Sequence, residues 1–326
     1  MGAYAGGGEA SSREEVRQVR GLVQHLLSVL RSTPTPALSR QRKKGKIGVA
    51  MVLLLPLSAH AQVSVVAAEN FYGDVAQQVG GPDAAVTSIL SSPDQDPHLF
   101  EASASTARSL SAARIVVFNG ADYDPWMVKM LRAAKGTDRL EVEAAALAGR
   151  KPGDNPHLWY DPAIMRRVAQ ALAEALSAAD PAHKAAFAQR LDAFDISLKP
   201  LDDRIAEIRQ RHAGQAVTAT EPVFGLMAAA LGLAMRNERF QLAVMNGTEP
   251  RASDTAAFEA DLKTHRVRAL LYNLQATGPA AKRLLRLAQL QHIPTVGVTE
   301  TEPAGTTYQA WMTGQLDTLD HALSLP

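Results

Sequence analysis

Ala182–His212 reads AHKAAFAQRLDAFDISLKPLDDRIAEIRQRH. Its apolar residues Phe187, Leu191, Phe194, Leu198, Leu201, Ile205 and Ile208 are spaced 4, 3, 4, 3, 4 and 3 residues apart. That period keeps side chains on one face of an α-helix. At about 1.5 Å per residue the segment predicts a helix ~45 Å long. A seam of this length also suits a coiled-coil partner. The α/β pattern on both sides makes a helix lying across two lobes the better reading. Pro200 falls inside the seam, removes an amide donor and predicts a kink.

Upstream of the seam, Val63–Ala67, Ala84–Leu90, Arg114–Asn119 and Leu140–Val142 read as strands. Helices are predicted from Glu69-Asn70 through Val79, over Ala102–Ser111 and Met127–Ala134, and from Asp161 to about Ala178. Downstream, Ala216–Ala219, Val267–Tyr272 and Thr295–Val298 read as strands, and Pro222–Leu231, Asp254–Thr264, Ala280–Leu290 and Gln309–Leu323 as helices. The clearest strands are continuously apolar, as expected where helices cover both faces of a parallel sheet. The predicted fold is therefore α/β: two parallel-sheet lobes, residues 62–180 and 214–326, joined by one long linking helix over 181–213. A length of 326 residues agrees with two domains.

Composition narrows the function. Hydrophobic residues make up 46% and charged residues 21%, an ordinary globular balance. Residues 1–61 carry 9 of the 34 Lys and Arg but 3 of the 33 Asp and Glu, so the remainder has a net charge of −5. That surplus of acid disfavours nucleic-acid binding. Cysteine is absent, which removes disulfides, zinc fingers, iron–sulfur clusters and cysteine nucleophiles, and leaves His and oxygen ligands for any metal.

The front of the chain reads as a leader. Arg40–Lys46 is the cationic run RQRKKGK, Ile47–Leu57 the apolar run IGVAMVLLLPL, and Ser58–Gln62 the small-residue site SAHAQ. These are the three parts of a secretory signal. The apolar run has 11 residues, whereas a spanning helix needs about 20. No Cys stands at the cleavage point to accept a lipid. The mature protein is expected to begin near Gln62. Residues 1–39 do not fit a signal, and a translation start near Leu38 is expected.

No G-x-x-x-x-G-K-[ST], G-x-S-x-G or H-E-x-x-H motif occurs. Seven histidines follow the leader. His183, His212, His265, His292 and His321 lie at or near helix ends and read as solvated or capping residues. His98 and His157 differ, because each follows a proline in a loop, Asp96-Pro97-His98 and Asn155-Pro156-His157. Loops at strand ends are where α/β proteins bind ligands. A rigid X-Pro-His loop fixes the direction of the imidazole and reduces the entropy lost on coordination. In the second half, Glu221 follows the strand Ala216–Ala219, and Glu300 follows Thr295–Val298 with Glu302 two residues on. Singly, Glu221 suits a helix N-terminus and the other two an exposed acidic loop. Together, two imidazoles and two carboxylates form a mixed set suited to a divalent transition metal.

The chain resembles the periplasmic zinc/manganese-binding receptors of ABC importers. The resemblance is carried by VVAAENFYGDVAQQVGG (residues 65–81), SSPDQDPHLFEAS (91–103), RIVVFNGADYDPWM (114–127), NPHLWYDP (155–162), the long helix, TATEPVFGLMAAALGL (218–233), and VGVTETEP (296–303) followed by TTYQAWM (306–312). It covers essentially all of residues 62–326. It implies two α/β lobes joined by a rigid helix, with one metal ion, zinc or manganese with ferrous iron as an alternative, bound in the cleft as transported ligand. By motif position His98 and His157 match the first-lobe ligands, Glu221 the third, and Glu300 the last, with Glu302 as its alternative. It further implies a monomeric periplasmic protein whose partners are the membrane subunits of a permease, with no nucleic-acid partner and no membrane insertion after leader cleavage. An exported metal-dependent hydrolase is the competing reading, in which Glu302 serves as base beside an open coordination position. A surface adhesion protein is a third, but would not need the paired Pro-His loops.

Overall fold

The computed structural model describes residues 61–92, 100–133, 138–275 and 278–325. The leader through His60, and residues 93–99 with His98, lie outside the described residues.

The first half builds one sheet from β1 (Val63–Glu69), β2 (Ala84–Leu90), β3 (Ile115–Phe118) and β4 (Leu140–Glu143), in the order β2-β1-β3-β4. The second half repeats the plan with β5 (Ala216–Ala219), β6 (Ala234–Arg236), β7 (Leu270–Asn273) and β8 (Thr295–Val298), in the order β6-β5-β7-β8. Every pairing in both sheets is parallel, with registers such as Val66 against Val116 and Leu270 against Thr295. The apolar character of β1 and β3 follows from this, since both are buried almost throughout. In each sheet the strand order reverses beside the first strand, and that switch point leaves a crevice at the C-terminal strand ends.

Helices α1 (Asn70–Gly80), α2 (Ala104–Ala112), α3 (Pro125–Ala133), α4 (Ala144–Ala148) and α5 (Pro162–Ala179) accompany the first sheet. Asp161 starts α5: its side chain accepts the Ala163 N–H at 2.9 Å, and Pro162 supplies the fixed φ of a first helical residue. Ile164, Met165, Val168, Leu172 and Leu176 then form its buried stripe.

The apolar seam is buried as the spacing requires. Phe187, Phe194, Leu198, Leu201 and Ile208 are in the core, and Leu191 and Ile205 pack against it. The helix is interrupted just before Pro200, giving α6 (Lys184–Ser197) and α7 (Lys199–His212) separated by Leu198. Pro200 has no N–H to donate to Ile196, so the hydrogen-bond ladder cannot run through. α6 packs on α1 and α5 in the first half.

The remaining helices are α8 (Gly225–Ala230), α9 (Glu238–Met245), α10 (Ala252–Lys263), α11 (Pro279–Leu290) and α12 (Tyr308–Ser324), and α7 packs on α12. The sequence pattern overlooked α4, β6 and α9, all short, and the 3-10 turn Pro222–Phe224 that precedes α8. His212 corrects an expectation. It is buried, with Nε2 2.9 Å from Asp320 Oδ1, rather than solvated or capping. His265 and His292 adopt φ of 51° and 55° just beyond helix ends, a turn position in keeping with a capping role.

One core runs from the first half into the second. Phe71 stacks on Trp159 at 4.4 Å and lies 6.0 Å from Trp311, and Tyr160 meets Phe224 at 5.1 Å. The polar ends of these aromatics are also used across the interface. Tyr160 Oη donates towards Thr299 O and Gln315 Oε1 at 2.7 and 2.8 Å, and Tyr308 Oη donates to Trp159 O at 2.8 Å. Among the described residues no helix is long and apolar enough to cross a membrane.

Candidate metal centre

His157 sits at the start of a 3-10 turn whose Leu158, Trp159 and Tyr160 are all fully buried, so the turn is anchored by its own side chains. Asn119, at the end of β3, holds the preceding residue by donating to Pro156 O at 2.9 Å. Asn119 is itself oriented by Tyr72 Oη, which donates to its Oδ1 at 2.7 Å. Asn155 fixes the imidazole. Its Oδ1 accepts the His157 backbone N–H at 3.0 Å and lies 2.7 Å from ring Nδ1, while its Nδ2 donates to Pro222 O at 2.8 Å. An amide oxygen can only accept, so Nδ1 carries a proton, and in the neutral ring Nε2 presents a lone pair.

That lone pair is aimed at the second half. His157 Nε2 is 3.6 Å from Glu300 Oε2, both side chains are almost wholly buried, and Nε2 has no hydrogen-bond partner among the described residues. A buried acceptor facing a carboxylate is unfavourable unless a proton or a cation lies between them.

Glu300 leaves the end of β8 on a loop gripped from both sides. Gln275 Oε1 accepts the Glu300 N–H at 2.6 Å. Asn70 on α1 pairs with the backbone of Glu302, donating to its O at 2.6 Å and accepting its N–H at 3.1 Å. Glu221 leaves β5 in extended conformation (φ −146°, ψ 159°), as a residue before proline must, and makes no capping hydrogen bond to the helical turn that follows. Its carboxylate goes to Asn273 instead: Asn273 Nδ2 donates to Glu221 Oε2 at 2.7 Å and to Glu300 Oε1 at 2.5 Å.

The structure therefore brings His157 and Glu300 together and ties Glu221 to Glu300 through one amide. Among the described residues, no group of three or more His, Asp or Glu side chains is close enough to hold a metal ion. Glu302, two residues on, is close enough to Asp74 on α1 to feel its charge. Burial, with Asp74 adding to it, pushes its carboxyl up to about 8.

Sequence reasoning missed several residues around this point. Asn155, Asn119 and Asn273 are neutral and sit at strand or loop ends, where only their position beside Pro-His or Glu marks them. Glu69 ends β1 fully buried, and its carboxyl is held well above the usual range by burial, then by Asp124. A single acid closing an apolar strand was its signal. Burial likewise pushes Asp124 up to about 7, although the Asn119 and Gly120 N–H groups donate to it. Tyr123 is raised by burial, then by the charge of Glu300, and its ring lies 5.9 Å from that of His157.

Comparison with known proteins places the chain among relatives. The family model described as "Zinc-uptake complex component A periplasmic" matches residues 65–322. A curated protein of Treponema pallidum (strain Nichols), whose name describes it as metal-binding, is 26% identical over 255 residues, 70% of this chain and 76% of its own length. The manganese-binding lipoprotein MntA of Bacillus subtilis is 27% identical over 152 residues, 44% of this chain and 49% of that one, so this chain matches about half of it. Among solved structures, the periplasmic zinc-binding protein TroA of Treponema pallidum superposes with a TM-score of 0.68 at 21% identity, over 81% of this chain and all of that one. The likeness bears out the two-lobed α/β fold.

Proposed function

The chain belongs to the family of the periplasmic component A of zinc-uptake complexes, and on that premise we propose that it is an extracytoplasmic receptor. In this reading it captures one divalent transition metal ion, zinc or manganese with ferrous iron also compatible, and delivers it to an ABC-type permease. The metal is cargo, not a resident cofactor. The observation that carries the reading is the buried His157 Nε2 facing Glu300 across the two halves of the molecule. His98, His157, Glu221 and Glu300 are the proposed ligands, an N2O2 set that suits such an ion. Glu300 is preferred to Glu302 because it is the one beside the imidazole. The reading is supported by the proton on His157 Nδ1, which leaves Nε2 facing Glu300, and by Asn273, which donates to both carboxylates.

The chain is further proposed to act as a monomer with no catalytic role. The lobes are proposed to divide near residues 180 and 213, and the mature form to begin at Gln62 in the periplasm. The exported hydrolase reading draws no support from the family or from the relatives.

Native mass spectrometry of the protein purified from a periplasmic fraction tests the proposal. One metal per chain, removed by chelator and restored by zinc or manganese, is expected. A protein that retains no metal and binds none on titration would sink it. Amino-terminal sequencing of the same sample should read Gln62, and recovery of residues 1–39 would refute the leader assignment.

A further inference from the structure

We propose that Asn70 is a positioning residue for the metal site: with Asp74 and Gln78 it clamps the loop of Glu300 onto the first half of the molecule and so sets Glu300 against His157. The proposal rests on the reading of those two residues as ligands.

The clamp is a stripe on α1. Asn70, Asp74 and Gln78 recur at every fourth position, so they follow one another along one face of the helix, about 6 Å apart. All three are half-buried, while Phe71, Tyr72, Val75 and Val79 between them are buried in the first half. The helix body is therefore fixed, and it presents the stripe from a rigid element.

Each member of the stripe reaches the second half, and all reach the one segment Glu302–Gln309. Asn70 holds both backbone groups of Glu302, donating to its O at 2.6 Å and accepting its N–H at 3.1 Å. Asp74 Oδ2 accepts the Tyr308 N–H at 2.9 Å. Tyr308 is the first residue of α12, where an N–H has no acceptor within its own helix, so a carboxylate of the first half caps a helix of the second. Gln78 and Gln309 exchange amide hydrogen bonds at 3.0 and 2.9 Å, and Gln78 Nε2 also donates to Asp74 Oδ2 at 2.6 Å.

Positioning follows from direction. The aromatic packing between the halves, such as Phe71 against Trp311, supplies attraction without a fixed register. Hydrogen bonds weaken steeply with distance and angle, so the stripe selects one register. The linking helix is interrupted at Leu198, which makes this second connection the more important. Gln275 grips Glu300 from within the second half. Asn70 ties the same loop to the half that carries His157, two residues from the carboxylate whose Oε2 is 3.6 Å from His157 Nε2.

Asn70→Ala, Gln78→Ala, Glu300→Ala and the double variant Asn70→Ala with Glu300→Ala test the proposal in the purified protein. Asn70→Ser serves where Asn70→Ala does not fold. Circular dichroism checks the apo fold, competition against a chelator gives zinc affinity, and cobalt(II) absorption reports the geometry of the bound ion. Asn70→Ala should lower zinc affinity about 10-fold, the lower end of the range for outer partners, and alter the cobalt spectrum. Gln78→Ala, at the far end of the stripe, should cost less. In the Glu300→Ala background, Asn70→Ala should change affinity by no more than about twofold, because the two residues serve one contact. A purely structural role predicts the same loss in both backgrounds, and that result would overturn the proposal. So would a folded Asn70 variant with wild-type affinity and spectrum, or a Gln78→Ala loss as large as that of Asn70→Ala. A wild type that binds no zinc would instead overturn the receptor reading, and a Glu300→Ala protein that binds as wild type does would overturn the ligand assignment.

Discussion

The side-chain oxygen of Asn155 accepts both the backbone N–H and the ring Nδ1–H of His157, at 3.0 and 2.7 Å. The two residues are separated by Pro156, whose fixed φ holds the loop in the shape that lets one oxygen serve both donors. The amide nitrogen of Asn155 meanwhile reaches Pro222, the residue after Glu221. One side chain thus sets the tautomer of a first-half histidine and touches the loop of a second-half carboxylate.

Replacing His157 or His98 with Ala should weaken metal binding by more than the roughly 10–100-fold that loss of an outer partner costs. Asn155→Ala should fall inside that range, because Nδ1 loses the partner that fixes its proton. Isothermal titration of apo protein checks all three. Ligands must be deprotonated to bind, so protons compete with the metal and wild-type affinity should drop as the pH is lowered. Equal affinities in wild type and both histidine variants would remove the site from consideration.

Glu221→His should raise the affinity for zinc relative to manganese, and Glu221→Ala should weaken both. Imidazole is the softer ligand, and losing a carboxylate costs the oxygen-preferring ion more. Competition titration gives the ratio directly. A ratio that does not move would mean that Glu221 serves its loop and not the metal.

Apo stability should fall as pH rises from about 5 to 8. Asp124 and Glu302 have native pKa values of about 7 and about 8, against roughly 4 for unfolded carboxyls. Between those values the native state holds protons that the unfolded state has released. Their contribution is therefore full at low pH and lost as pH passes through 7 and 8. Each held proton changes stability by on the order of 1 kcal/mol per pH unit. Thermal melts of metal-free protein at pH 5.5 and 8 test the direction. Glu302→Gln, neutral at both, should narrow the gap, and a gap of the opposite sign would contradict the argument.

Phe194→Ala should destabilise the apo protein by about 3–5 kcal/mol, as for other large-to-small changes in a core. Phe194 is 2% exposed on the seam of α6. Ile196, two residues on and 74% exposed, provides the control: Ile196→Ala should stay within about 0.5 kcal/mol. Urea unfolding of the two variants separates a seam that packs from one that is merely apolar.

The sequence by itself determined the α/β class, the parallel sheets and the buried seam with its break at Pro200. These depend on local quantities: continuous apolar runs, a 3- and 4-residue period, a missing amide. It also marked His157, Glu221 and Glu300, because a proline or a strand end beside each restricts its backbone. It did not separate Glu300 from Glu302, which share one loop. It took His212 for a surface residue, because the buried partner Asp320 is 108 positions away. It passed over Asn155 and Asn273, neutral side chains whose importance lies in which charged groups they touch. Only the tertiary structure sets Glu300 rather than Glu302 beside His157, buries His212 on Asp320, and gives the two amides their charged partners. A hydrogen bond depends on a few tenths of an ångström between groups far apart in the chain, and that distance is set by how the two halves pack, which no local pattern records.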